Sequence, residues 1–300
     1  MLQIQLSEHD NLMANNISEA VRELGYSEVA HRLAVDLAKK KQEPCSIFHR
    51  FRNGVYVREI IMPAGALCVG HKHKMPYMNQ MLAGKILVLK NDGSWVELDA
   101  PFTGEGEMER KVGIVMETVV WQNIIATDET DPAKIEDMFI DKDEEERVAI
   151  EADNTYDVDM DRLDYADVCA QLGFTPDEVK EMSQSEVDMI PFPNGDYKFQ
   201  RGPSPIDGQG LFATAPIEAG EIVCPARLDF HRTPAGRFIN HSLTPNVEMV
   251  MDSTGDVYVV ALRDIHGNEG GRLGEELTTD YFKAFMDTRF NVEEMRKCLA

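Results

Sequence analysis

Little in this sequence is set aside for cross-links, membranes or polyanions. Its 300 residues include only five cysteines, Cys45, Cys68, Cys169, Cys224 and Cys298. They are dispersed with no C-x-x-C pair, which excludes a disulfide framework and a thiolate zinc site, and they read as reduced thiols. No apolar run approaches the length of a membrane span. The opening Met1-Leu2-Gln3-Ile4-Gln5 begins no basic, apolar and cleavage-site series, so a cytoplasmic chain with no membrane partner is expected. Basic residues are scarce as well, 30 against 53 acidic ones, for a net charge of -23. Such a chain repels phosphate backbones, and no nucleic-acid partner is expected. The acidity is concentrated, with 15 acidic and three basic residues in 128–161. That stretch reads as a solvated linker rather than a binding tail.

What is present suits two domains. A hydrophobic content of 43% over this length can bury substantial cores. Ile17, Val21 and Leu24 share one helical face ended by Gly25, and Val29, Leu33 and Leu37 share a second after Ser27, so 1–43 reads as two helices. From Pro44 the texture is that of strands, over 55–62, 66–71, 85–90, 95–99 and 112–127. Turns at Asn53-Gly54, Ala64-Gly65, Ala83-Gly84 and Asn91-Asp92-Gly93 separate them, which predicts a small β-barrel or sandwich within 44–140. Residues 141–195 read as an acidic and helical linker. In it Tyr165, Val168, Cys169 and Leu172 form a stripe stopped by Gly173, and Thr175, Pro176 and Glu178 form a capping-box start. Strands resume over 196–285, and a last helix is expected over 292–299 within 286–300. The fold class is therefore mainly β with α.

Three C-terminal segments carry chemistry. Gly208-Gln209-Gly210-Leu211-Phe212-Ala213 allows positive φ and close approach of backbone to a ligand, although either glycine alone would suit a tight turn. Arg237-Phe238-Ile239-Asn240-His241-Ser242, with Pro245-Asn246, offers an amide and a ring able to hold a zwitterionic amino acid and an adenine edge. Gly274-Glu275-Glu276-Leu277-Thr278, with Asp280-Tyr281, ends on a phenol. In this order the segments resemble the SET domain, the fold of S-adenosylmethionine-dependent protein lysine methyltransferases. The resemblance implies that Gly208, Gly210, Leu211, Arg237, Phe238, Asn240, His241 and Phe282 line the cofactor site. It also implies that Tyr281 ends the lysine channel and that the Asn240 segment lies beneath a passing C-terminal strand. This chain departs from the family pattern in three ways. Only 224–236 stands where a variable subdomain usually builds the peptide groove, Cys224-Pro225-Ala226 supplies no second channel tyrosine, and no cysteine cluster follows the core.

Farther upstream, Gly65, His71-Lys72-His73 and Gly84 resemble the first metal motif of cupins, small β-barrels that often hold a divalent metal. On a single strand His71 and His73 would share one face. The acidic ligand of that family is missing, and Glu107, Glu109, Glu117, Tyr77 or His49 would have to complete the set. The leading expectation is methyl transfer to a protein lysine, with the cupin-like part serving recognition or homodimerisation. Compact SET proteins of this kind resemble those of bacteria and viruses, and a viral one would act in host cytoplasm. The alternatives are a non-catalytic SET-fold binding or structural protein and a cupin acting on a small molecule.

Overall fold

The computed structural model describes residues 8–39, 43, 45–106, 108–141, 159–268 and 273–288. The helix expected over 292–299 and residues 142–158 of the acidic stretch lie outside them. Among the described residues the chain divides into two compact units. The first comprises 8–129, 134–141 and 268, and the second 130–133, 159–267 and 273–288. No described helix is long and apolar enough to cross a membrane.

The first unit opens with α1 (Glu8–Leu24) and α2 (Tyr26–Ala38). The strands β1 (Ile47–Arg52), β2 (Val55–Met62), β3 (Leu67–Val69), β4 (Lys72–His73), β5 (Tyr77–Leu89), β6 (Trp95–Asp99), β7 (Phe102–Gly106) and β8 (Val112–Ala126) follow. After them come α3 (Pro132–Phe139) and β9 (Ile140–Asp141), which pairs with β4. The main sheet runs β1-β2-β8-β5-β6, with β3 added on β8 and β7 on β5. The strand path is thus open, and the closed barrel expected from strand spacing is not formed among the described residues. The long strands β5 and β8 hold it together. Their register shifts around Gly84, whose φ is +86° and where a Cβ would stand 2.2 Å from the Thr118 carbonyl oxygen.

Register decides which side chains meet. Trp121 lies opposite both Ile60 and Met81. Met62, Met81, Val119 and Trp121 then join Cys45, Ala66, Ile86 and Val115 in one core. On another face, Ile17, Val21, Val29 and Ala30 of the two helices cover Leu89 and Val112. Full burial of each Ile, Val or Leu among them contributes about 1.5–3 kcal/mol. Trp95 anchors α1 by donating its indole N–H to the Ser18 hydroxyl at 3.0 Å.

The second unit starts with α4 (Asp159–Gln171) and α5 (Pro176–Gln184). The capping box at Thr175 and Glu178 is present, each side chain reaching the other's backbone N–H. Then come β10 (Asp196–Tyr197), β11 (Phe199–Pro203), β12 (Gln209–Ala213), β13 (Ile222–Leu228), β14 (His231–Arg232), α6 (Ala235–Phe238), β15 (Asn240–His241), β16 (Val247–Met251), β17 (Val257–Ala261), β18 (Thr278–Thr279) and α7 (Tyr281–Thr288). They form an antiparallel β11-β12 hairpin, a four-stranded β14-β13-β17-β16 sheet and a short parallel β15-β18 pair. Phe199, Leu211, Ile217, Val247, Val259, Ile265 and Leu277 are buried in this unit. The segment after Cys224, where the groove subdomain was expected to be shortened, is the tight β13-β14 hairpin.

Candidate functional site

The parallel pair gathers residues that are far apart in sequence. Asn240 lies beside Thr278 and His241 beside Thr279. The Ser242 and Asn246 N–H groups donate to the Thr279 and Thr278 carbonyls, each at 3.1 Å. Buried Asn246 clamps the seam: its amide donates to the Glu276 carbonyl at 2.7 Å and accepts from the Thr278 N–H at 2.8 Å. Tyr281 follows at the start of α7. Its backbone N–H donates to His241 Nδ1 at 3.2 Å, and its hydroxyl donates to the Ile239 carbonyl at 2.9 Å. Burial, and then Tyr165, Asp207, Glu276 and Cys169, raise the Tyr281 pKa, so the phenol keeps its proton at neutral pH.

Asn240 sits among oxygens. Its Nδ2 lies 2.7 Å from Glu276 Oε1, 3.0 Å from Ser204 Oγ and 3.3 Å from the carbonyls of both Asp207 and Gln209. Glu276 is only 8% exposed, and the Ser204 hydroxyl reaches its carboxylate at 2.9 Å. Gly208 has φ +52°, the left-handed region that glycine adopts without strain. Gly210 does not take positive φ. It lies opposite Gly202, and a Cβ there would stand 2.1 Å from Glu276 Oε1. Its bare backbone makes room for this internal carboxylate, and the positive φ expected of it is not adopted.

The other expected cofactor residues divide. Leu211 is 1% exposed, so its side chain belongs to the core and only its backbone faces the seam, accepting from the Leu277 N–H. Arg237 is turned to Glu186, with Nη1 at 2.8 Å, and its guanidinium lies over Phe238 together with that of Arg201. Arg237 and Phe238 therefore brace each other. Phe282 is 38% exposed on α7. Ser204 and Asp164 carry no signal in the sequence, Tyr165 stands there only in a helical stripe, and Glu276 and Asn246 were quoted without roles. The last two stand inside the motifs, whereas Asp164 and Tyr165 belong to a helix far upstream.

The residues of the metal motif do not fit a divalent cation. The strand expected over 66–71 is only Leu67–Val69, and β4 spans only Lys72–His73, so His71 and His73 do not alternate along one strand. His73 is stacked on Tyr77 at 3.9 Å with Nδ1 enclosed and without a hydrogen-bond partner. Burial, then His71, Arg58 and Lys111, lower its pKa to about 4. His49 faces Arg58 across β1 and β2, and its Nδ1 lies 2.6 Å from the Tyr56 hydroxyl. Burial and Arg58 lower the His49 pKa to about 3. Cations, rather than a third ligand, bear on these rings. Of the other candidates, Glu107 lies outside the described residues, Glu109 lines a cleft with Lys72 and Arg110, and Glu117 lies opposite Lys85. Among the described residues no three His, Cys, Asp or Glu side chains group as a metal site. Metal analysis is expected to give equal content for wild type and the His71→Ala/His73→Ala double variant; a fall in the variant would restore the metal reading.

Residues 226–282 match the family model of the SET domain. The match takes in the Asn240 and Tyr281 segments and stops short of Gly208. No curated protein matches the chain. Among solved structures, the chain is similar to an HTH_3 family transcriptional regulator from Vibrio cholerae (19% identity, 30% of this chain and 58% of that one, TM-score 0.24). It is also similar to an RmlC-like cupin with a double-stranded β-helix fold from Methanocaldococcus jannaschii (10%, 28% and 82%, TM-score 0.25). A third is the Cnp3 cupin domain of Schizosaccharomyces pombe (21%, 30% and 69%, TM-score 0.24). Scores this low carry no argument by themselves. Residues 226–282 carry a SET domain, and a unit built on a large mainly antiparallel sheet precedes it in the chain. The SET domain in general is the fold of protein lysine methyltransferases.

Proposed function

We propose that this protein transfers a methyl group from S-adenosylmethionine to a lysine side chain of another protein. The observation that supports this most is the oxygen cradle at Asn240. Four acceptors crowd a nitrogen that has only two hydrogens to give. A site with surplus acceptors suits an ammonium group, and the amino-acid end of the cofactor has one. Asn240, Glu276 and the turn at Gly208 would hold that end, with His241 beside it. When bound, S-adenosylmethionine supplies an electrophilic sulfonium methyl that passes to an amine lone pair as the C–S electron pair returns to sulfur. The chain's own part is to prepare the amine. Lysine must arrive without its third proton, which its ordinary pKa of about 10.4 opposes and which burial against neutral groups favours. The Tyr281 hydroxyl has its proton committed to Ile239, so its lone pairs are left to accept from the incoming nitrogen and aim it. Positioning of this kind supplies most of the acceleration in a displacement. In this reading the cupin-like unit serves recognition or subunit pairing.

Calorimetric titration with S-adenosylmethionine and S-adenosylhomocysteine tests the reading. Saturable binding is expected, with Kd raised at least about tenfold, or about 1.4 kcal/mol, in Asn240→Ala. A folded wild-type protein that gives no heat at millimolar ligand overturns it.

A further inference from the structure

A helix upstream of the matched segment reaches the seam through one carboxylate. α4 brings Asp164 Oδ2 to 2.8 Å from Nε2 of His241, a residue only 3% exposed. The two nitrogens of that ring have opposite duties. A backbone N–H can only donate, so Nδ1, which lies 3.2 Å from the Tyr281 N–H, must accept. An ionised carboxylate can only accept, so the ring proton sits on Nε2 and is given to Asp164. Both bonds therefore call for the same tautomer, since a proton on Nδ1 would point at another donor. The connection runs from Asp164 through the imidazole to the first residue of α7. The hydroxyl of that residue is tied in turn to the Ile239 carbonyl at 2.9 Å. The remaining ring neighbours of His241 are Tyr165 and Tyr281 itself, with centroids 6.4 and 5.3 Å away. Among the described residues, the hydrogen-bond partner that takes the ring proton is Asp164.

We propose that Asp164 is a positioning residue of this site: by holding His241 in the Nε2–H tautomer it fixes the Tyr281 backbone, and through it the direction in which the Tyr281 hydroxyl faces the incoming nitrogen. The proposal rests on the methyl-transfer reading. Asp164 acts only through other residues. Without it the ring proton is free to move to Nδ1, and the Tyr281 N–H then meets a donor where it had an acceptor. The first residue of α7 loses its anchor, and the phenol shifts with it. A misplacement of about 1 Å in a reacting geometry costs about a hundredfold in rate. An amide at position 164 keeps an oxygen that can accept from Nε2, whereas a methyl group keeps none.

The experiment uses the full chain, radiolabelled S-adenosylmethionine and whichever peptide wild type labels best in a random library of lysine peptides. Asp164→Ala is expected to lower kcat by about ten- to a hundredfold, and Asp164→Asn by no more than about threefold. In a Tyr281→Phe background, where the oxygen to be aimed is gone, Asp164→Ala should cost less than about threefold more. A merely structural role would lower kcat by the same factor in both backgrounds. The tautomer is read separately from the imidazole nitrogen shifts of 15N-histidine-labelled protein, with the His241 signals identified by their loss in His241→Gln. Wild type and Asp164→Asn should carry the proton on Nε2, and Asp164→Ala should not hold it there. Equal losses in the two backgrounds, an unchanged kcat in Asp164→Ala, or a proton on Nδ1 in folded wild type overturns the proposal and leaves the methyl-transfer reading standing. A wild-type protein that labels no peptide overturns both.

Discussion

Tyr281→Phe is expected to lower methyl transfer by about 10²- to 10⁴-fold, the range lost with a positioned hydroxyl, while S-adenosylhomocysteine binding changes little. The substitution removes one oxygen with two roles. It donates to the Ile239 carbonyl at 2.9 Å, and in the proposed reaction it accepts from the lysine nitrogen. Phenylalanine preserves the ring that meets Tyr165 and His241. It also preserves the backbone N–H that holds His241. The Ile239 carbonyl is left unpaired, which costs about 1–3 kcal/mol of stability, so a thermal melt accompanies the kinetics. Loss of transfer with retained cofactor binding marks the hydroxyl as part of the chemistry. Near wild-type transfer would remove Tyr281 from it.

A second large effect belongs to the first unit. His49 and His73 have pKa values lowered to about 3 and about 4, because burial and neighbouring cations oppose their protonation. In the unfolded chain each titrates near 6.5, so below that pH the unfolded state binds more protons and gains the advantage. Stability is intact above pH 6.5 and falls as the pH drops towards the folded values. Between pH 7 and pH 5 each histidine is expected to cost about 2 kcal/mol, or about 4 kcal/mol together. The sequence has two tryptophans, Trp95 and Trp121. Both lie in this unit, so urea unfolding followed by tryptophan fluorescence reports on it alone. His73→Phe, which keeps a ring against Tyr77, should halve the acid loss. An unchanged pH slope in that variant would show that the buried imidazole does not govern it.

How much was legible in advance follows from where the residues point. β2 and β6 came out with the expected bounds because their flanking turns are unambiguous. The first half of β5 was missed because its polarity runs against its burial: Asn79 is 1% exposed, while Met78 and Leu82 lie on the outer face. Asn79 is tolerated inside because it accepts from the Trp121 indole at 3.0 Å and the Asn123 amide at 2.8 Å. β1 hides in the same way, since His49 points inward with its Nδ1 on the Tyr56 hydroxyl. β7 is rich in glycine and reads as a turn. In the site, Asn240, His241 and Tyr281 were visible because their motif holds them in one seam. Tyr165 appeared only as part of a helical stripe with Val168 and Cys169, since nothing local says which surface that stripe will meet.

The seam itself has a consequence for how occupancy could be felt. β15 and β18 contribute only two residues each, yet the proposed site is assembled by their meeting. So short a ladder is a place where a chain comes undone locally, while larger antiparallel sheets persist. A molecule gripping both lips acts as a splint. At a hundred times its Kd it makes the closed form about 2.7 kcal/mol harder to open. The amides of Ser242 and Asn246, which bond across the seam, would then exchange with solvent at a rate that reports how full the pocket is.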